Sequence, residues 1–129
     1  HKVFSTLHTS SAVESIHRIV GEFPAEEQDR IRMRLADTLS VIISQKLVPS
    51  IEGKVVLAKE ILSVTSSVVA AIRNNNVAEI YQMISEGKKY GMFSIEQDLY
   101  SLFKMGKITK ETALNYSNNK KRMVQLLQY

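Results

Sequence analysis

No cysteine occurs in the 129 residues. That absence removes disulfides, thiolate chemistry and cysteine-based zinc sites together, and it fits a reducing, cytoplasmic setting. Nor does any apolar run approach the roughly 20 residues that a membrane-spanning helix needs. The longest greasy stretches, around Leu39 to Ile43 and Val68 to Ile72, are short, so membrane contact is expected to be peripheral at most. The opening His1-Lys2-Val3-Phe4 carries neither an initiator Met nor a charged segment leading into a long apolar one. No signal peptide is expected, and the chain reads as beginning inside a longer protein.

A phosphate-binding loop is missing as well. It needs spaced glycines followed by Gly-Lys-Ser/Thr, so that backbone donors cradle phosphates and the hydroxyl meets magnesium. Here Gly53-Lys54 is followed by Val55, Gly87-Lys88 by Lys89 and Gly106-Lys107 by Ile108, without the upstream glycine. All three read as helix stops or turns. The histidines, His1, His8 and His17, lack the i, i+4 spacing of a helical zinc site and have no acidic cluster beside them, so no metal site is expected. Serines and threonines sit at loop and cap positions without a nucleophile elbow, which argues against nucleophilic catalysis.

What is present is ordinary globular material. Hydrophobic residues make up 44% and charged residues 23%, enough apolar surface to offset the entropy of ordering. A net charge of +4 favours acidic partners such as phosphates, nucleic acid or anionic lipid, but the excess is modest. Residues Lys2 to Leu7 are rich in β-favouring types and lead into His-Thr-Ser-Ser, which predicts a strand running into a polar loop. Thr9, Ser10 or Ser11 can cap a first helix, in which Val13, Ile16, Ile19, Val20 and Phe23 recur at helical spacing. Pro24 with Glu26 and Glu27 starts a second helix, its stripe Ile31, Leu35, Leu39 and Ile42 or Ile43 predicting an end near Ser44. Lys46 to Pro49 reads as extended, Ser50 to Gly53 as a turn, and Val55 to Leu62 as the second strand of a hairpin.

After Thr65 the character changes to short helices, predicted over Ser67 to Arg73, Val77 to Ser85, Ser94 to Lys104, Thr109 to Tyr116 and Lys120 to Leu127, with a boundary placed near Ser63. Arg30, Arg32 and Arg34 are most simply a solvated helix face, although arginine also reaches across interfaces toward phosphate charge. Lys120-Lys121-Arg122 likewise reads as the wet side of the last helix. His17 reads as helix surface. His8 stands after the opening strand, where open α/β sheets gather ligand-binding groups, and position alone leaves a structural role as the simpler reading.

The opening H-K-V-F-S-T-L-H-T-S-S-A-V resembles the histidine box of PilT-type secretion ATPases, and His1 and His8 match both of its histidines. The resemblance continues through F-P-A-E-E-Q-D-R-I-R-M-R-L-A, I-S-Q-K-L-V-P, K-E-I-L, Y-G-M and L-F-K-M-G-K-I-T-K-E-T-A-L. It implies an α/β fold, the C-terminal part of a RecA-like ATPase core over residues 1–62 followed by a small all-α helical domain over 63–129. It further implies an ATP-hydrolysing homo-hexamer at the cytoplasmic face of the inner membrane, powering type IV pilus retraction and contacting an inner-membrane platform protein, with no nucleic-acid partner. ATP and Mg2+ would be bound mainly by residues upstream of this chain, leaving it inactive alone. His8 would act on the γ-phosphate side with His1 in support, and Arg32 and Arg73 are candidate subunit-interface residues. One departure stands out. Where the family carries Ala-Ile-Arg-Asn-Leu-Ile-Arg-Glu, this chain has Ser67 to Asn74, and only Ile72 and Arg73 match. A sister pilus-assembly or type II secretion ATPase is therefore an alternative, as is a non-enzymatic basic helical binding module.

Overall fold

A computed structural model describes residues 1–128. Among these, residues 1–9 form no regular element, which corrects the predicted opening strand. The β-favouring composition of Lys2 to Leu7 is there, but no described strand pairs with it, and composition alone supplies no ladder. Helix α1 then spans Ala12–Gly21, with the Ser11 side chain accepting from the Glu14 amide. Its buried stripe is Ala12, Ile16 and Val20, at the i, i+4 spacing of one helix face.

Helix α2 spans Ala25–Thr38 behind Pro24. It stops six residues before Ser44, because Leu39 turns to an extended backbone at φ −69° and ψ 131°. The β-branched run Val41-Ile42-Ile43 instead opens strand β1, Val41–Pro49. Strand β2, Val55–Ser63, pairs with it antiparallel from Val41 opposite Ser63 to Pro49 opposite Val55. Gly53, at φ 79°, supplies the left-handed residue that the connecting turn requires.

Five further helices follow: α3 Ser66–Arg73, α4 Ile80–Ser85 after a short 3-10 turn, α5 Ile95–Lys104, α6 Lys110–Tyr116 and α7 Lys120–Leu127. Each long one starts at a hydroxyl or amide cap, Thr65, Ser94, Thr109 and Asn119, and Ser94 with Gln97 forms a reciprocal capping box. Gly87 packs so closely that a Cβ there would lie 2.8 Å from the Met83 carbonyl oxygen.

The chain thus mixes helix and strand, with two apolar clusters. Ala12, Ile16, Ala36, Leu62, Val68, Ile72, Ile80 and Ile84 belong to the first. Val48, Ala58, Ile95, Leu99, Ile108, Ala113 and Met123 belong to the second. The hairpin's inner face feeds both, Leu62 joining the first and Ala58 the second, and the buried Glu60 stands between them. Its outer face leaves Ile43, Leu47 and Val55 more than half exposed. No helix among the described residues is long and apolar enough to cross a membrane.

Candidate functional site

Of the residues singled out from sequence, His1, His8, His17 and Arg73 are exposed, whereas the Arg32 side chain is mostly covered. His1 and His8 are exposed on the opening segment, and the His8 carbonyl accepts a 3.0 Å hydrogen bond from Arg18 Nη1 on α1. His17 is exposed on α1. Arg32 pairs with Asp29 at 2.7 Å within α2, and Arg73 on α3 pairs with Asp37 on α2. These arginines therefore knit the chain to itself, α2 to α3 in the second case. Lys120 is more than wet surface, since its ammonium donates to the carbonyls of Leu114, Asn115 and Ser117 at the end of α6, where a cation meets the negative helix end.

At the start of α1, four residues beyond His8, lies an organised polar network. Glu60 is 2% exposed, and its two carboxylate oxygens accept from the amides of Ala12 and Ile95 at 3.0 and 3.1 Å. Those are the first residues of α1 and α5, so one carboxylate satisfies the free N–H groups of two helix ends. Burial pushes the Glu60 carboxyl up from its ordinary range, and the two backbone donors hold it back. Glu96, fully buried in the first turn of α5, accepts from the Tyr81 hydroxyl at 2.7 Å and from the Asn118 and Asn119 amides at 2.7 and 3.0 Å. It thereby caps the entry to α7. Tyr81 is pushed well up from the usual phenol range by burial and by this bond to Glu96.

Lys46, on the hairpin's inner face, donates to the Tyr116 carbonyl at 2.7 Å and to Asn118 Oδ1 at 2.6 Å, and burial draws its ammonium down. Asn118 Nδ2 donates in turn to the Ser10 carbonyl at 2.9 Å. At the near end Glu14 accepts from the Ser10 amide and hydroxyl, which hold its carboxyl below the ordinary range. The loop between His8 and α1 is thus pinned by residues from β2, α1 and the α6–α7 connection.

Sequence reading singled out none of Glu60, Glu96, Lys46 or Asn118. One signal was available for Glu60: along V-V-L-A-K-E-I-L it shares a strand face with Ala58 and Leu62, so alternation puts a carboxylate on the apolar side. Glu96 carries no comparable mark, because an acidic residue in a first turn is ordinary helix chemistry.

The glycines at positive φ, Gly53, Gly91 and Gly106, close turns with open space around each Cα, and no group of three or more His, Asp or Glu could hold a metal ion among the described residues. What the site offers is an exposed imidazole on a pinned loop.

Comparison with known proteins gives the family. The sequence model of the type II/IV secretion system proteins matches residues 1–123. The type IV pilus retraction ATPase PilT of Pseudomonas aeruginosa is 41% identical over 113 residues, 88% of this chain and 33% of that protein. A twitching motility protein of Neisseria gonorrhoeae is 36% identical over 95% of this chain and 33% of its own length. Among solved structures, the pilus retraction motor PilT with bound ADP superposes with a TM-score of 0.87 at 38% identity, over 97% of this chain and 35% of that one. The chain spans about a third of the length of these relatives. With the α/β character read from its sequence and a backbone like that of PilT, the chain belongs to the type II/IV secretion system protein family, on the PilT side of it.

Proposed function

We propose that this chain is the C-terminal part of an ATP-hydrolysing, homo-hexameric motor for type IV pilus retraction, the activity behind twitching motility. The observation that carries this reading is the match of nearly the whole chain, 97%, to the PilT retraction motor solved with ADP. In this reading ATP and the Mg2+ it needs are held mainly outside these residues, and His8 reaches the γ-phosphate side from its pinned loop, with His1 in support. The division near Ser63 marks the end of the RecA-like part, and Arg32 and Arg73 lie toward subunit contacts. The exposed apolar outer face of the hairpin suits a chain that packs against further protein. The motor would work at the cytoplasmic face of the inner membrane against a platform protein.

The test uses the intact protein that carries this chain. Magnesium-dependent ATP turnover, a hexamer by sedimentation, and a fall in kcat of roughly a hundredfold in His8→Ala support the reading. Turnover that ignores His8→Ala removes the assigned role of the histidine. A strain lacking the protein that makes no pili, rather than unretracted ones, reassigns the motor to assembly, the alternative that the Ser67 to Asn74 departure raises.

A further inference from the structure

Glu60 does what a simple helix cap does not: it takes amide hydrogens from two helices at once, at 3.0 and 3.1 Å. Neither helix end can then move by an ångström relative to the other without breaking a charge-assisted bond, in a place where water cannot take over. One of those ends is Ala12, four residues beyond His8. A second route runs from Ser10 through the Asn118 side chain to the entry of α7, and Glu96 joins that entry to α5. The hydrogen bonds therefore close a ring: Ser10, Asn118, Glu96, the first turn of α5, Glu60 and Ala12. Arg18, on the same helix α1, also holds the His8 carbonyl.

We propose that Glu60 is a positioning residue for ATP hydrolysis, its carboxylate fixing the loop from His8 to Ser11 against the N termini of α5 and α7, so that the imidazole and the C-terminal helices move as one body. The inference rests on the role given to His8 above. Glu60 itself touches no substrate; it acts through the loop. The ring also gives a direction to coupling, because a displacement of α5 or α7 reaches Ala12 and Ser10 through two short hydrogen-bonded routes.

Two variants of the intact motor test it, compared with wild type for kcat and KM. Glu60→Gln keeps the side-chain size but replaces one of two acceptors with an amide, so one helix end loses its partner. Asn118→Ala removes the tie on Ser10, together with the Lys46 contact, at an exposed position. Expected are a kcat about ten to a hundred times lower for Glu60→Gln, the scale of an ångström misplacement, and a smaller loss in the same direction for Asn118→Ala. KM should stay within about twofold, and the double variant Glu60→Gln with His8→Ala should be no slower than His8→Ala alone, because the two act on one group. Unchanged kcat in both variants, or losses that multiply with that of His8→Ala, overturn the positioning role while leaving the motor intact. Should Glu60→Gln fail to fold, full kcat in Asn118→Ala overturns it equally. Wild-type protein without ATP turnover overturns the motor reading and this inference with it.

Discussion

Replacing Glu96 by alanine removes the acceptor of three donors: the Tyr81 hydroxyl at 2.7 Å and the Asn118 and Asn119 amides at 2.7 and 3.0 Å. The half-buried tyrosine hydroxyl can turn to water, but the two amides sit at the entry to α7 beneath a fully buried carboxylate. Both amides are only partly buried, so each lost acceptor falls at the low end of the roughly 1–3 kcal/mol that an orphaned donor costs, and relief from burying the carboxylate offsets part of it. A net cost of about 1.5 kcal/mol, on the order of tenfold in an opening equilibrium, follows. Amide hydrogen exchange of the intact protein reads it directly at α7, where the Met123 amide bonds the Asn119 carbonyl. Glu96→Gln is the control. Its carbonyl oxygen can serve both backbone amides, and its NH2 can donate to a turned tyrosine hydroxyl, so about 1 kcal/mol is lost. The expected order of exchange rates in α7 is wild type, Gln, then Ala. Alanine and glutamine variants that exchange alike, or an alanine variant within about threefold of wild type, would refute the claim that these bonds hold α7 in place.

Two other outcomes follow from the geometry. Burial holds the Glu60 carboxyl above its ordinary value of 4.5, so the native state binds more protons than the unfolded chain in the window above 4.5, and stability falls as pH rises through it. The ratio of wild-type to Glu60→Gln protection factors at α1 and α5 should decline across that window; a level ratio contradicts the assignment. Gly87→Ala places a Cβ 2.5 Å from Met92 Cε and 2.8 Å from the Met83 carbonyl oxygen, an overpacking worth about 1–3 kcal/mol. Loss of protection through Ile80–Ser85 is expected, and unchanged protection there would mean the segment yields without cost.

Much of the fold was legible because local chemistry decided it. The caps Ser11, Thr65, Ser94, Thr109 and Asn119 open helices close to where their side chains and the following apolar spacing put them. The hairpin partner strand and its glycine turn were equally visible. Two elements were not. The stripe of α2 continues in sequence through Leu39 and Ile42, yet the helix ends at Thr38, because Val41 to Ile43 gain more by pairing with β2 than by extending one more turn. The opening segment has strand composition without a described partner, and composition cannot supply a ladder.

The same division runs through the site. Residue order alone determined which histidines stand ahead of α1, that no glycine-rich phosphate loop lies in these 129 residues, and the resemblance to PilT-type ATPases. What only the tertiary structure decided is how the His8 loop is held. Ala12, Glu60, Glu96 and Asn118 are up to 106 positions apart in the chain, counting from Ala12 to Asn118, and no periodicity links them. They meet because two helix ends and a loop converge on the seam between two apolar clusters, and buried backbone donors there must find an acceptor wherever the chain can bring one.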